Sequence, residues 1–318
     1  MTSLLLLFLA THALPGGPAD DQKNELPVEK SAVATLRLEG YPDWLEIGFG
    51  SLWVSNAGIG AVQRIDLETN KVVAEVKVNR PCAAMAAGYD AVWVASRADK
   101  SIFRIDAKTN KVAATIPATI ADSEASIAVG EGGVWVLTDK KGVLSRIDPE
   151  TNKVVAQIDV KPHSYAAMAG YGAIWVTNTG EPRSADNGSV QRVDPKKNTV
   201  VATIPVRSQP RFLAVGEGAV WVLNQTDGTV SQIDPETNKV VATIEAGVVG
   251  PGGDIAAGEG AVWVRGTKVL LVVIDPKTNK VAKRFGPPMG SGAVRAGKGK
   301  VWVSAHDVKK VWGLDPGR

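Results

Sequence analysis

Residues 210–244 read PRFLAVGEGAVWVLNQTDGTVSQIDPETNKVVATI, and this stretch contains four short runs of strand-forming residues. The runs RFLAVG, AVWVLN, TVSQID and KVVATI are rich in valine and isoleucine and alternate partly with period two. The breaks between them carry glycine, proline, asparagine and aspartate, as tight turns between antiparallel strands require. The stretch therefore predicts a unit of four antiparallel strands.

The same unit recurs along the chain, and each copy is marked by a Trp-Val pair followed by an aspartate. The intervals between successive tryptophans are 40, 42, 40, 46, 42 and 39 residues. The tryptophans are Trp53, Trp93, Trp135, Trp175, Trp221, Trp263 and Trp302, and the aspartates are Asp66, Asp106, Asp148, Asp194, Asp234, Asp275 and Asp315. A strand-rich repeat of about 40 residues is typical of a propeller or a solenoid.

The two ends of the chain complement each other. Residues 33–38, VATLRL, have the spacing of a fourth strand without a unit of their own, and the seventh unit stops at Asp315 after three strands. A linear array or β-helix would instead carry atypical capping repeats at both ends. We therefore predict an all-β, seven-bladed β-propeller with four antiparallel strands per blade, in which the N-terminal strand completes the C-terminal blade and hides its edge.

The N-terminal residues predict export. Residues 1–13, MTSLLLLFLATHA, contain an apolar run too short to span a bilayer and typical of a secretory signal peptide. We expect a signal peptide over residues 1–19, a linker over 20–30 and the propeller over 31–318, in a secreted or periplasmic monomer without a transmembrane segment. The only cysteine, Cys82, allows neither an intramolecular disulfide nor a lipidated N-terminal cysteine.

Charge gives little reason to expect a nucleic-acid partner. The formal net charge is +3, and the lysines are spread through one turn of every repeat rather than gathered in a stripe. Catalytic triads, phosphate-binding loops and zinc-ligand spacings are also absent from the sequence. We expect no cofactor.

The segments GAVWVLN, SQIDPETNKVVATI and GAIWVTN resemble the YVTN-type, YncE-like family of seven-bladed propellers, over residues 31–318. The superfamily also contains virginiamycin B lyase-like propellers, so the resemblance implies, as one activity, magnesium-assisted C–O lysis by histidines and glutamates at the channel mouth. That pattern implies a histidine at the start of a first strand and Glu-x-His in the next blade. Of this pattern, only His163 carries over, as the histidine at the start of a first strand. The Glu-x-His element has no counterpart, because neither His163 nor His306 has a glutamate two residues before it. Magnesium is expected only if the protein is lyase-like.

The loops that join the fourth strand of one blade to the first of the next, and the second strand to the third, share one face of a propeller. We call it the upper face. Its loops differ from copy to copy, whereas the opposite, bottom face repeats turns of the DPETNK type. Mixed charges and amides on the upper face suit a polar or anionic small molecule. The ligand-binding residues predicted there are Trp44, Asn56, Arg97, Tyr165, Asn178, Arg211, Phe212, Asn224, Asp254 and His306.

Two features of this face leave alternatives open. Trp44 and Phe212 occupy the same first-strand position in their blades, where they form either a stacking surface for a sugar or aromatic ring or a plug of the channel. Residues 178–190 contain an insertion, because 19 residues separate Trp175 from Asp194 where most copies have 13. This loop is either a functional rim or a neutral surface loop.

Two functions from different classes fit the pattern. The first is a non-catalytic binding or scaffold propeller that holds a small polar or carbohydrate ligand, or an envelope protein or peptide. The second is a lyase or hydrolase with His163 as general acid or base, assisted by Glu124.

The repeat register also predicts an ion pair in the channel. Seven residues before each Trp-Val tryptophan, only Glu46 and Arg295 are charged. They belong to blades one and seven, which are neighbours in a closed ring. Isolated charges in a narrow channel are costly, so we expect these two to pair.

Overall fold

The computed structural model describes residues 25–81, 84–121, 124, 126–180 and 188–317. Within these residues there are seven sheets, one per predicted repeat, each built on four antiparallel strands. The first strand of each blade lies beside the first strands of its two neighbours, and that of blade seven lies beside that of blade one. The predicted seven-bladed β-propeller is therefore confirmed. Within the described ranges, no helix is both long enough and apolar enough to cross a bilayer.

Blades one to six follow the chain, each with its strands in sequence order from the axis outward. Blade one comprises Pro42–Gly48, Ser51–Asn56, Ala61–Asp66 and Lys71–Lys77, blade two Met85–Gly88, Ala91–Ser96, Ser101–Asp106 and Lys111–Pro117, and blade three Ile127–Gly130, Gly133–Asp139, Val143–Asp148 and Lys153–Asp159. Blade four comprises Ser164–Gly170, Ala173–Asn178, Ser189–Asp194 and Thr199–Pro205, blade five Pro210–Gly216, Ala219–Asn224, Thr229–Asp234 and Lys239–Glu245, and blade six Asp254–Gly258, Ala261–Arg265, Leu271–Asp275 and Lys280–Gly286.

Blade seven closes the ring as predicted. Its strands Val294–Gly297, Lys300–Ala305 and Lys310–Leu314 are completed by the N-terminal strand Ala32–Arg37, which pairs antiparallel with Lys310–Leu314. Thr35 lies opposite Trp312 in this pairing, and the N–H of Leu38 donates to the carbonyl of Lys309 at 3.0 Å. The strands Ala32–Arg37 and Lys310–Leu314 are thereby held in one sheet.

The expected linker is more structured than the sequence indicated. Residues 25–30 are described, and Leu26–Pro27 pairs in parallel with Phe285 and Gly286 at the outer edge of blade six. A helical turn over Val28–Ser31 then leads into the closing strand. Val28 is fully buried in a cluster that includes Phe285 and Trp312. Burial of this one apolar side chain explains why the segment packs onto the propeller.

The Trp-Val tryptophans are the centres of the blades. All seven are almost completely buried. In blades one to six the indole N–H donates to the carbonyl of a glycine five residues earlier, at 3.0–3.2 Å. That glycine ends the first strand, so each tryptophan both fills the core and fixes the hairpin between the first two strands.

Arginines on the third strands join neighbouring blades at the bottom face. Each stacks on the tryptophan of its own blade at 5.0–5.4 Å and donates to an asparagine side chain in the turn of the next blade at 2.9–3.4 Å. These pairs are Arg64–Asn110, Arg104–Asn152, Arg146–Asn198 and Arg192–Asn238. The asparagines have φ of 54–58°, the left-handed region that asparagine tolerates, which explains their place in the repeated turn.

Blade five lacks this contact, and restoring it should stabilise the protein. Gln232 stands opposite Trp221 where blades one to four have arginine, and the buried Oδ1 of Asn279 in the next turn has no hydrogen-bond partner. We expect Gln232→Arg to raise the free energy of unfolding by about 1 kcal/mol through a hydrogen bond to Asn279 and stacking on Trp221. Urea unfolding measures the change, with Gln232→Met as the control. Equal stability of the two variants would show that the contact does not form.

Candidate functional site

The channel mouth on the upper face is built where the first strands begin. Ten residues before the Trp-Val tryptophan, three blades carry large polar side chains, which are Asp43, Tyr165 and Arg211. A hydroxyl of the preceding blade fixes two of these positions: Ser304 donates to the carbonyl of Asp43 at 2.5 Å, and Thr177 to that of Arg211 at 3.2 Å. The backbone of the mouth is therefore set by contacts between blades.

Two aromatic rings seal the channel below the mouth. Trp44 of blade one and Phe212 of blade five meet across the axis with ring centroids 6.1 Å apart, and Tyr165 contacts Phe212 edge-on at 5.5 Å. Trp44 is 4% and Phe212 1% exposed, and the cavity they border measures about 90 Å³. Of the two alternatives, a stacking surface or a plug of the channel, the burial of both rings fits the plug. Tyr165 and Arg211 lie one repeat position nearer the upper face than these two rings.

Tyr165 is the residue around which the predicted polar groups gather. The guanidinium of Arg211 lies 5.3 Å from its ring centroid. Burial raises the pKa of the Tyr165 hydroxyl above its ordinary range, and the charge of Glu124, which also hydrogen-bonds this hydroxyl, raises it further, against Arg211 and Arg97. The hydroxyl thus remains protonated and serves as a hydrogen-bond donor. The fold brings these four residues together from blades two, three, four and five.

Asp43 lies at the mouth on the side of blades one and seven, and it was not among the site residues predicted from the sequence. Burial raises the pKa of its carboxyl to about 6, against the charge of His306, while Glu124 and Asp254 raise it further. A carboxyl with this pKa exchanges its proton near neutral pH. The signal was available in the sequence, because Asp43 occupies the same repeat position as Tyr165 and Arg211.

The predicted channel ion pair is confirmed and has a third member. Nε of Arg295 lies 3.4 Å from Oε2 of Glu46, and Nη1 of Arg295 lies 2.5 Å from Oδ2 of Asp254. Asp254 also accepts the backbone N–H groups of Val294 at 3.0 Å and Ile255 at 2.9 Å. Asp254, predicted as a ligand-binding residue, is therefore buried and fully engaged with the protein.

These buried carboxyls make stability depend on pH. Burial raises the pKa of Glu46 to about 7 against the charge of Arg295, from an ordinary value of 4.5. The folded protein therefore holds a proton that the unfolded chain releases, so stability is lost as pH rises from about 4.5 to 7. We expect the midpoint of thermal unfolding to be higher at about pH 5 than at pH 7.5.

Glu46→Gln is the matched variant for this pH dependence. It removes the titrating group, so its unfolding midpoint should change less between the two pH values. Unfolding should be measured only above about pH 4. Backbone hydrogen bonds lower the pKa of the turn aspartates, as at Asp66, so these carboxylates stabilise the fold near neutral pH and lose that effect when acid protonates them. A parent protein that is more stable at pH 7.5 than at pH 5 would contradict the assignment.

The asparagines predicted at the ends of the second strands are buried and hold loops. Asn56 donates to the carbonyl of Glu39 at 2.6 Å and accepts the N–H of Tyr41 at 2.8 Å. Asn178 donates to the carbonyl of Pro162. Asn224 donates to the hydroxyls of Thr229 and Ser231 at 3.0 and 2.9 Å. These three amides therefore hold the backbone and the neighbouring strands that surround the mouth.

His163 lies farther out than the residues around Tyr165. His163 is exposed, with φ of 64°, and its backbone N–H donates to the carbonyl of Lys140 at 3.1 Å. Of the insertion in residues 178–190, residues 181–187 lie outside the described residues. The catalytic role predicted for His163 and the rim role predicted for the loop stay predictions.

Comparison with family models gives no activity. A model described as a "Repeat of unknown function (DUF6923)" matches residues 90–204, and one described as a "Domain of unknown function (DUF5074)" matches residues 195–315. A search of curated proteins finds no match. The YncE-like family name therefore stays a prediction.

Comparison with solved structures shows the fold class. A streptogramin B lyase has a TM-score of 0.73 at 16% identity, covering 89% of this chain and 96% of that one. Virginiamycin B lyase from Staphylococcus aureus has a TM-score of 0.71 at 17% identity, covering 89% and 98%. Hydrazine synthase from Kuenenia stuttgartiensis has a TM-score of 0.69 at 14% identity, covering 88% and 97%. The chain is a seven-bladed propeller of virginiamycin B lyase-like fold, and such likeness does not assign an activity.

Proposed function

We propose that the protein is an exported binding or scaffold propeller, secreted or periplasmic, that holds a small polar, glycan or peptide ligand at the upper mouth of its channel. The observation that carries the proposal is the gathering of Arg97, Glu124, Tyr165 and Arg211 above a sealed aromatic floor. Export is proposed from the apolar run in residues 1–13.

The bottom face supports the proposal because its side chains repeat, whereas those of the upper face vary from blade to blade. Its charged groups serve the fold through repeated contacts: Asp66, like the aspartates of the other turns, accepts a backbone N–H within its turn, from Thr69 at 2.7 Å, and Arg64, like the arginines of blades two to four, donates to an asparagine of the next blade, Asn110 at 2.9 Å. Groups already engaged in repeated contacts offer little to distinguish one ligand from another. The upper face has different side chains in each blade, as specificity requires.

The mouth offers both donors and acceptors. The guanidinium groups of Arg97 and Arg211 suit carboxylate, phosphate or sugar oxygens, and Glu124 suits hydroxyl or ammonium donors. The Tyr165 hydroxyl, whose single proton is donated to Glu124, offers a ligand its oxygen as an acceptor. Charge-assisted hydrogen bonds from two such groups give roughly 2–4 kcal/mol, so affinity for a small ligand should be modest.

A thermal-shift screen of envelope glycans, peptides and small acids tests the proposal, followed by titration of a hit against variants. We expect Arg211→Ala and Tyr165→Ala each to weaken binding by about tenfold, the loss of one charged or aromatic contact. Glu236→Ala, in an exposed bottom turn, should bind as the parent does. Loss of binding in the bottom variant with normal binding in the mouth variants would place the site on the other face.

A lyase or hydrolase acting at the same mouth is the second candidate. The observation in its favour is the pairing of acid–base groups, with Asp43 near His306 on one side and the Glu124–Tyr165 hydrogen bond on the other. Turnover of a lactone or ester that disappears in His163→Ala or Asp43→Asn would favour this function over simple binding.

The residues present at the mouth do not fit a magnesium ion. Both oxygens of Asp254 already accept hydrogen bonds, which leaves Asp43 and Glu124 as carboxylates of the mouth among the described residues. Throughout the described ranges, no three His, Cys, Asp or Glu side chains group together as metal ligands. We therefore derive no step through a metal.

A further inference from the structure

A second cavity opens on the upper face between blades five and six, outside the sealed channel. It measures about 500 Å³. Its lining includes Arg211, Gln225 and Lys268, together with the loop segment Val249, Gly250 and Pro251. Arg211 therefore borders both this pocket and Tyr165 of the channel mouth.

The loop wall of the pocket is held in a fixed conformation. The N–H of Gly250 donates to the carbonyl of Gln225 at 3.1 Å, and the side-chain amide of Gln225 donates to the carbonyl of Gly252 at 2.8 Å. Gly250 has φ of 99°, and a Cβ on Gly253, where φ is 137°, would lie 2.6 Å from the carbonyl oxygen of Arg265. Glycine is required there, and the pocket is preorganised.

Two buried polar atoms at this pocket lack partners. Gln225 is 4% exposed, and its Oε1 has no hydrogen-bond partner, although its amide nitrogen is engaged. Nε of Arg211 is likewise buried and without a partner. A buried acceptor left unpaired is unfavourable, and a ligand group that donates to it removes that penalty.

The charges and apolar groups of the lining define the remaining chemistry. Arg211 and Lys268 are cationic, and none of the described lining residues is acidic. Val249 and Pro251 supply an apolar wall. The pocket therefore combines a place for an anion, a place for a donor and a surface for a short carbon skeleton.

We infer that this pocket binds a small organic carboxylate whose apolar skeleton also carries a hydroxyl or ammonium donor. The carboxylate lies between Lys268 and Arg211, and the donor bonds to Oε1 of Gln225 after a small rotation of this buried amide brings the oxygen to the pocket wall. The inference rests on the proposed function, because it specifies the ligand class of the same face and shares Arg211 with the mouth.

Three related compounds test the inference by calorimetric titration. They are 2-hydroxy-4-methylpentanoate, its methyl ester, which lacks the charge, and 4-methylpentanoate, which lacks the donor. We expect the hydroxy acid to bind about tenfold more tightly than either analogue, as the loss of one charge-assisted or buried hydrogen bond implies.

Variants assign the effect to the pocket. Lys268→Gln should weaken the hydroxy acid about fivefold and leave the ester unchanged, and Gln225→Met should abolish the preference for the hydroxy acid over 4-methylpentanoate. Lys268 is exposed, so its variant should fold normally. The control is Lys239→Gln, an exposed lysine of the bottom face, which should bind as the parent does.

The outcomes separate this inference from the proposed function. Binding of the hydroxy acid that neither pocket variant changes would overturn the pocket and leave the mouth as the site. No binding of the hydroxy acid by the parent protein would also overturn the inference, and the proposed function would then be decided by its own screen and by Tyr165→Ala.

Discussion

Replacing Arg295 with methionine is expected to lower the free energy of unfolding by about 3–5 kcal/mol. The substitution leaves Glu46 and Asp254 buried near each other without their shared cation. Removing one member of a buried ion cluster costs more than the cluster itself contributes, because the remaining carboxyls either stay charged without a partner or take up protons at a cost in free energy. Urea unfolding at neutral pH measures the loss.

A triple variant that also neutralises both carboxyls distinguishes the loss of the shared cation from the loss of packing. Arg295→Met combined with Glu46→Gln and Asp254→Asn removes all three charges at similar side-chain volume. It should recover much of the lost stability, since neutral groups carry a smaller burial penalty. A loss below about 1 kcal/mol in the single variant, the size of an exposed ion pair, would mean that the channel is wetter than its geometry indicates.

Deleting residues 20–38 should be even more disruptive, lowering the free energy of unfolding by about 4 kcal/mol or more. The deletion removes the strand Ala32–Arg37 from blade seven and the buried side chains of Val28 and Leu38. Each buried aliphatic side chain contributes about 1.5–3 kcal/mol. Lys310–Leu314 then becomes an open edge, so we expect aggregation as well.

A shorter deletion serves as the control. Removing residues 20–31 takes away the strand at blade six and the helical turn but keeps the closing strand of blade seven. This variant should lose stability yet remain monomeric by size-exclusion chromatography. If the 20–38 deletion melts as the parent does and stays monomeric, the pairing of the chain ends is not what closes the ring.

The repeat register predicts both the blades and the ion pair, because each depends only on spacing along similar units. Glu46 and Arg295 hold the same position in blades that closure makes neighbours. Asp254 belongs to the next layer up, and only the length of the Arg295 side chain lets one guanidinium reach both layers. A strand pattern contains no information about that reach.

Other features required contacts between blades. The arginines at the bottom are periodic in sequence, since Arg64 and Arg104 each follow their tryptophan by 11 residues. Their role depends on the distance from each arginine to the turn of the next blade, and the spacing of residues along the sequence does not give that distance. Similarly, the predicted Tyr165, Arg97 and Glu124 come from three different blades, and only the folded ring shows that they meet. Trp44 and Phe212 were predicted as a surface or a plug, and their contact across the axis distinguishes the two.

The most direct test of the proposed function is a crystal structure of the protein soaked with divalent metal and crude envelope extract. We predict ligand density on the upper face, in contact with Tyr165 and Arg211 and extending toward Lys268. Density confined to the bottom turns or the outer strands, with an empty upper face, would contradict the proposal.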